Sequence, residues 1–154
     1  MRNLLTKLVI CLAIAAVGAF AADNSLGTWK LNMEKSKFSP SAPVKSLTAT
    51  REASDGGVKA TMTGEQADGT PINASYTAKY DGKDSPVTGA PYDTIAIKQL
   101  NASTFTFKTK NTGNKYKAAG RTVISKDGKT MTSTTKGINA AGKPTSYTMV
   151  YDKQ

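Results

Sequence analysis

The sequence predicts an all-β protein, an antiparallel up-and-down barrel of about ten strands. Three observations point there. Turn signals recur at short intervals, most of them Asp-Gly or Asn-rich: Asp55-Gly56-Gly57, Asp68-Gly69, Asp81-Gly82, Asn111-Thr112-Gly113-Asn114, Asp127-Gly128 and Ala141-Gly142-Lys143-Pro144. Such pairs supply the positive φ angles that tight hairpins need. Between them lie runs rich in Thr, Val, Ile, Tyr and Phe with period-two alternation. No stretch after residue 22 carries a helical period. Ten strands joined by short turns leave open edges if the sheet stays flat, and closure removes those edges. A two-sheet sandwich is the alternative, because its strand grammar is similar.

Taken in order, the first strand is Gly27 to Asn32 and carries the only tryptophan, Trp29. Met33 to Lys45 follows, marked by Pro40 and Pro43. It reads as an ordered loop with room for one helical turn around Glu34 to Lys37. Ser46 to Ala53 and Val58 to Gln66 flank Asp55-Gly56-Gly57. Ile72 to Tyr80 shows the clearest alternation: Ile72, Ala74, Tyr76, Ala78 and Tyr80 share one face, and Asn73, Ser75, Thr77 and Lys79 the other. A short strand at Pro86 to Gly89 precedes Thr94 to Leu100. Asn101-Ala102-Ser103 then turns the chain into Thr104 to Lys110, with Phe105 and Phe107 on one face. Lys115 to Ser125, Thr130 to Ile138 and Thr145 to Asp152 complete the set, the last with Tyr147, Met149 and Tyr151 in phase. The segment from Asp55 to Asp81 also echoes Asp127 to Asp152. A duplication would imply a pseudo-twofold barrel of five plus five strands, and shared hairpin grammar would explain the echo equally.

Residues 1–22 read as a secretory signal peptide. Arg2 and Lys7 put charge at the front, Leu8 to Phe20 is apolar, and Ala19-Phe20-Ala21 has the small-x-small form of a cleavage site near Ala21-Ala22. The run is shorter than the roughly twenty residues of a membrane span. Ile10 before Cys11 does not suit a lipoprotein signal. The expectation is a periplasmic or secreted protein, residues 23–154, forming one barrel domain that is not membrane-spanning. An outer-membrane barrel would need a continuous apolar outer band, and one face of nearly every strand is polar here.

The chain has 21 basic and 11 acidic residues and no histidine. Without Arg2 and Lys7 the net charge is still about +8. The excess is mostly lysine, with Arg51 and Arg121 the only arginines after the leader. Specific nucleic-acid readers lean on arginine forks, so no specific nucleic acid is expected. Anionic envelope polymers or lipid headgroups are the partners that such lysines could attract. With no histidine, and the single cysteine in the leader, the usual nucleophile–base pairs and transition-metal ligand sets are missing. Asp55, Asp68, Asp81, Asp84 and Asp127 sit in or beside turns, where aspartate has a local role. No enzyme activity, cofactor or metal is expected.

Gly27-Thr28-Trp29-Lys30-Leu31 resembles the Gly-x-Trp opening of the calycins, the superfamily of lipocalins and fatty-acid-binding proteins. The resemblance extends to small secreted bacterial proteins described only as lipocalin-like. It implies that this segment is the first barrel strand and that Trp29 closes the barrel floor. Two departures limit it. Met33 to Lys45 is too short and too proline-marked for a two-helix lid. The last strand has no arginine to sit over the tryptophan or hold a ligand carboxylate, and Lys153 is the nearest cation.

These observations together predict non-catalytic binding of a small, largely apolar ligand inside the barrel. The wall candidates are Tyr76, Tyr80, Phe105, Phe107, Tyr147 and Met149, with Arg121 a candidate inward cation beside Gly120. Small residues at Ala60, Gly64, Ala74, Ala78, Ala118 and Gly120 would leave room. The alternative is a solid barrel that works through a lysine-rich outer surface in the cell envelope.

Overall fold

The computed structural model describes residues 22–154. The signal peptide expected over residues 1–22 therefore lies, all but its last residue, outside the described residues. Eleven strands and no helix occupy the rest: β1 (Gly27–Leu31), β2 (Lys37–Ser39), β3 (Val44–Ser54), β4 (Gly57–Gln66), β5 (Pro71–Lys79), β6 (Ser85–Thr88), β7 (Thr94–Asn101), β8 (Thr104–Lys110), β9 (Lys117–Ile124), β10 (Thr130–Ile138) and β11 (Pro144–Lys153). Every neighbouring pair is antiparallel, in the order β1-β3-β4-β5-β6-β7-β8-β9-β10-β11. Trp29 opposite Lys153 and Leu31 opposite Tyr151 join β1 to β11 and close the ring. The fold is therefore a closed ten-strand antiparallel barrel, and the sandwich alternative falls.

The segment Met33 to Lys45 departs from expectation. It holds no helical turn; residues 37–39 form β2, which pairs with β11 from Ser146 to Thr148. The reason is geometric. β1 covers only the last three positions of the ten-residue β11, so the rest of that edge lacks partners. Asn32 donates to the Val150 carbonyl, Ser36 Oγ accepts from the Val150 amide, and β2 supplies the next pairs. A strand extension satisfies an edge that a helical turn would leave open.

The sequence echo does not produce a twofold barrel. The β4–β5 hairpin and the β10–β11 hairpin lie six places apart around a ring of ten, whereas a twofold needs five.

Alternating turns give the barrel two different ends. One carries the β3–β4, β7–β8 and β9–β10 turns, and residues 22–26 run across it. There the Asn24 amide bonds the Ala102 carbonyl at 2.9 Å, Asn24 Nδ2 donates to Ser103 Oγ, and Gln99 Nε2 donates to the Ala22 carbonyl. Ser25 is fully buried in this plug. The other end carries the β4–β5, β6–β7, β8–β9 and β10–β11 connections. The interior divides into two apolar clusters. One is centred on Val58, Tyr76, Ile95, Ile97 and Phe105, the other on Trp29, Leu31, Ile124, Met131 and Tyr151.

Candidate functional site

Trp29 sits at the plugged end with 0% exposure. Its Nε1 donates to the Ser25 carbonyl at 2.8 Å, and Lys153 Nζ lies 5.2 Å from its ring centroid. Gly27, the glycine of Gly-x-Trp, has φ 118°. That angle lets the chain leave the plug and enter β1 at a position where a side chain would be strained. Trp29 is thus buried against the plug, at the end where the resemblance puts a floor residue. Lys153 supplies a cation–π contact from the last strand, where an arginine is lacking.

The plug is also a polar network. Asp23 accepts from the Ser25 amide and hydroxyl and from the Tyr80 hydroxyl. Arg51 Nε donates to Ser25 Oγ at 3.1 Å, and Arg51 Nη1 to Tyr76 Oη at 3.2 Å. Arg51 points inward from β3, two strands from Tyr76 and across Ala60. Among the described residues no carboxylate lies within ion-pair distance of it. A guanidinium has five N–H donors, and these two bonds leave three free for water or a ligand. Burial alone would lower its pKa. Neighbouring Tyr76, Tyr80 and Asp23 outweigh that and raise it, so the group stays charged.

Above the floor, exposure grades along the inner face. Val58, Ala60, Ala78, Phe105, Ile124, Met131 and Tyr151 are buried near the plug. Met62, Ile72, Phe107, Ala118, Thr135, Tyr147 and Met149 occupy the same face toward the other end and are half-exposed. That end, the mouth, is partly covered: Ile95 and Thr109, in the same row as Ala118, remain 5% exposed. Aromatic pairs stand at it: Tyr92 stacks on Tyr116 at 5.8 Å between centroids, and Phe38 meets Tyr147 at 5.9 Å. Gly120 is required here, because a Cβ would meet Phe107 Cζ at 2.5 Å and the Thr134 carbonyl at 2.4 Å.

The expected wall residues divide by place. Tyr76 and Phe105 are buried in the first cluster, with Phe107 packed against it. Tyr147 and Met149 line the mouth side of β11, where Met149 Sδ accepts from the Tyr151 hydroxyl at 3.7 Å. Tyr80 belongs to the plug: its hydroxyl binds Asp23 and its ring packs 5.2 Å from Phe105. Arg121 is a correction. It is exposed and faces outward from β9. Strand alternation fixes this, since Gly120 must face the Phe107 ring inside and the next residue points the other way.

The inward arginine is Arg51. Its signal was present in the alternation of Leu47, Ala49, Arg51 and Ala53 against Thr48, Thr50 and Glu52. Tyr92 gave no such signal, lying in an irregular connection after Pro91. Three of the five turn aspartates make local turn bonds, while Asp84 instead pairs with Lys110 and Asp55 lies 3.9 Å from Lys79. Asp68 accepts from the Thr70 amide, Asp81 from the Lys83 amide, and Asp127 from the Lys129 amide and Ser125 hydroxyl. The Thr70 and Ser125 bonds hold Asp68 and Asp127 below the ordinary carboxyl value. No group of three or more metal-ligating side chains occurs among the described residues, and they include no helix long and apolar enough to cross a membrane.

Comparison with protein-family models and with curated proteins finds no match. The closed barrel with one plugged end is compatible with a calycin-like fold.

Proposed function

We propose that this chain is a non-catalytic, extracytoplasmic binding protein of the lipocalin-like kind, enclosing a small, largely apolar molecule in its barrel. The observation that carries the reading is the exposure gradient of the inner wall. Most of the inward apolar and aromatic residues that are only half-buried, Met62, Ile72, Phe107, Tyr147 and Met149, lie toward one end, where Ile95 and Thr109 remain buried, while the other end is plugged. We read this as a partly covered cup with a dry floor. The free donors of Arg51 deepen the reading. They suit a ligand whose apolar body lies among Met62, Phe107, Tyr147 and Met149 and whose anionic or accepting group reaches the floor.

The test uses 8-anilinonaphthalene-1-sulfonate, an apolar fluorophore with one anionic group. Saturable binding at one site per chain is expected. Thr135→Phe, which fills the inward position between Gly120 and Tyr147, should abolish binding and leave the melting temperature nearly unchanged. Binding that is non-saturable, or indifferent to Thr135→Phe, would remove the cup from the account.

A further inference from the structure

The excess of positive charge lies on one side of the barrel. Residues 22–93 hold eight cations and nine carboxylates; residues 94–154 hold eleven cations and two carboxylates, Asp127 and Asp152. Because the strands follow one another around the ring, this division in sequence becomes a division in space. On the β3–β5 side lysines meet acids: Lys59 stands opposite Glu52, Lys45 binds Glu65 at 3.0 Å, and Lys79 lies 3.9 Å from Asp55. On the outer face of β7–β10 no strand position carries an acid.

The register sets the pattern of that face. Lys98, Thr106, Arg121 and Thr134 form one row across β7–β10. Ala96, Lys108, Ala119 and Lys136 form the next. Cations therefore alternate with small uncharged residues. With strands about 4.8 Å apart, charges in a row are spaced by about 10 Å, and the rows by about 7 Å. Like charges directly opposite one another destabilise a sheet, and the lattice avoids that. The one facing pair, Lys110 and Lys117, has Asp84 bound to Lys110. At its plugged end the face is bordered by Leu100, 53% exposed on the β7 bulge, and Val123, 42% exposed on β9, with Thr104 between them. These are two of the three large exposed hydrophobics among the described residues.

We infer that the outer face of β7–β10 docks on a bilayer surface carrying anionic headgroups. Asp81 stands opposite Lys98 and Asp84 binds Lys110 at the β7 edge, whereas Lys108, Arg121 and Lys136 have no ion-pair partner among the described residues. Charge complementarity therefore selects an anionic partner, through an attraction that salt screens. The apolar border selects a bilayer over a soluble polyanion, because Leu100 and Val123 have nothing to enter on a hydrated polymer. This inference is independent of whether the barrel holds a ligand.

The test is vesicle flotation of the full chain, with 30% phosphatidylglycerol in phosphatidylcholine against phosphatidylcholine alone. Binding to the anionic vesicles only, weakening with salt, is expected. Lys108→Gln/Arg121→Gln/Lys136→Gln should lower partitioning about 100-fold, at about fivefold per cation. The control Lys45→Gln/Lys59→Gln/Lys79→Gln removes the same charge from the other side and should change it by less than about threefold. All variants share the same N-terminal residues, so any contribution from those is common to the comparison. Leu100→Ser/Val123→Ser should also weaken binding. Equal losses in both triple variants, or no preference for anionic vesicles, would overturn the inference. So would indifference to the Leu100 and Val123 changes together with equally strong, lattice-dependent binding of heparin, which would give the face to a polymer.

Discussion

Arg51 bears on both stability and the proposed binding. An inward guanidinium costs desolvation, and its nearest acid, Asp23, reaches it only through Ser25. Its neighbours outweigh that cost, and an apolar replacement would also leave Ser25 Oγ and Tyr76 Oη without their donor. Arg51→Met is therefore expected to lower stability by about 1–3 kcal/mol and to weaken the anionic fluorophore at least tenfold; thermal melts and titration of the same variant check both halves. Trp29 is wholly buried and anchors the plug through Ser25, so Trp29→Ala should cost about 3–5 kcal/mol in denaturant unfolding. The floor role expected of Trp29 rests on the Gly27-Thr28-Trp29 resemblance; what the fold adds is that Trp29 is wholly buried beside the plug. Arg51 and Arg121 were indistinguishable by composition; only strand parity separates them, and parity depends on which neighbour must face inside. Tyr92 was not legible, since its burial comes from tertiary packing against Tyr116 and not from any local pattern.

At the scale of elements, the strand positions and the sequential pairing of the ten barrel strands were readable, and the added strand β2 was not. Thr104–Lys110 and Thr130–Ile138 stand where alternation and turn chemistry put them. β2 escaped because its three residues carry no periodicity of their own; the unpaired edge of β11 recruits them. Phe38→Ala should therefore loosen the mouth side of β11 without opening the ring, seen as faster amide exchange at Ser146 to Thr148 and unchanged exchange where β1 pairs near Tyr151. The β8–β9–β10 wall depends on close approach at Gly120. Gly120→Ala pushes against Phe107 and the Thr134 carbonyl, so a loss of about 1–3 kcal/mol is expected, and Phe107→Leu in the same chain should recover part of it.

For the molecule as a whole, the absence of histidine shapes the pH response. Hydrogen bonds hold Asp68, Asp93, Asp127 and Asp152 below their ordinary 3.8. Their contribution is complete above that value and fades as pH falls through the lowered one, so stability should drop below about pH 4. Burial raises Tyr80, Tyr92 and Tyr151 above the ordinary 10.0. The unfolded chain releases those protons near pH 10 while the folded chain retains them, so stability should drop again above pH 10. Melting temperature from pH 3 to 11 should show a flat plateau between about 5 and 9, and a step near 6.5 would contradict this. The barrel itself was legible at this scale because ten alternating strands with short turns have few other ways to hide their edges. Its two unlike ends were not, since the plug is built from residues 22–26, a short Asp23-Asn24-Ser25 turn with no alternation to say what it packs against. The most direct test of the central claim is native mass spectrometry of the protein isolated from its own source, followed by denaturation and extraction of what is released. One small, largely apolar molecule per chain is the expected result. A ligand-free mass, with a melting temperature unmoved by a panel of lipids and aromatic compounds, would contradict it.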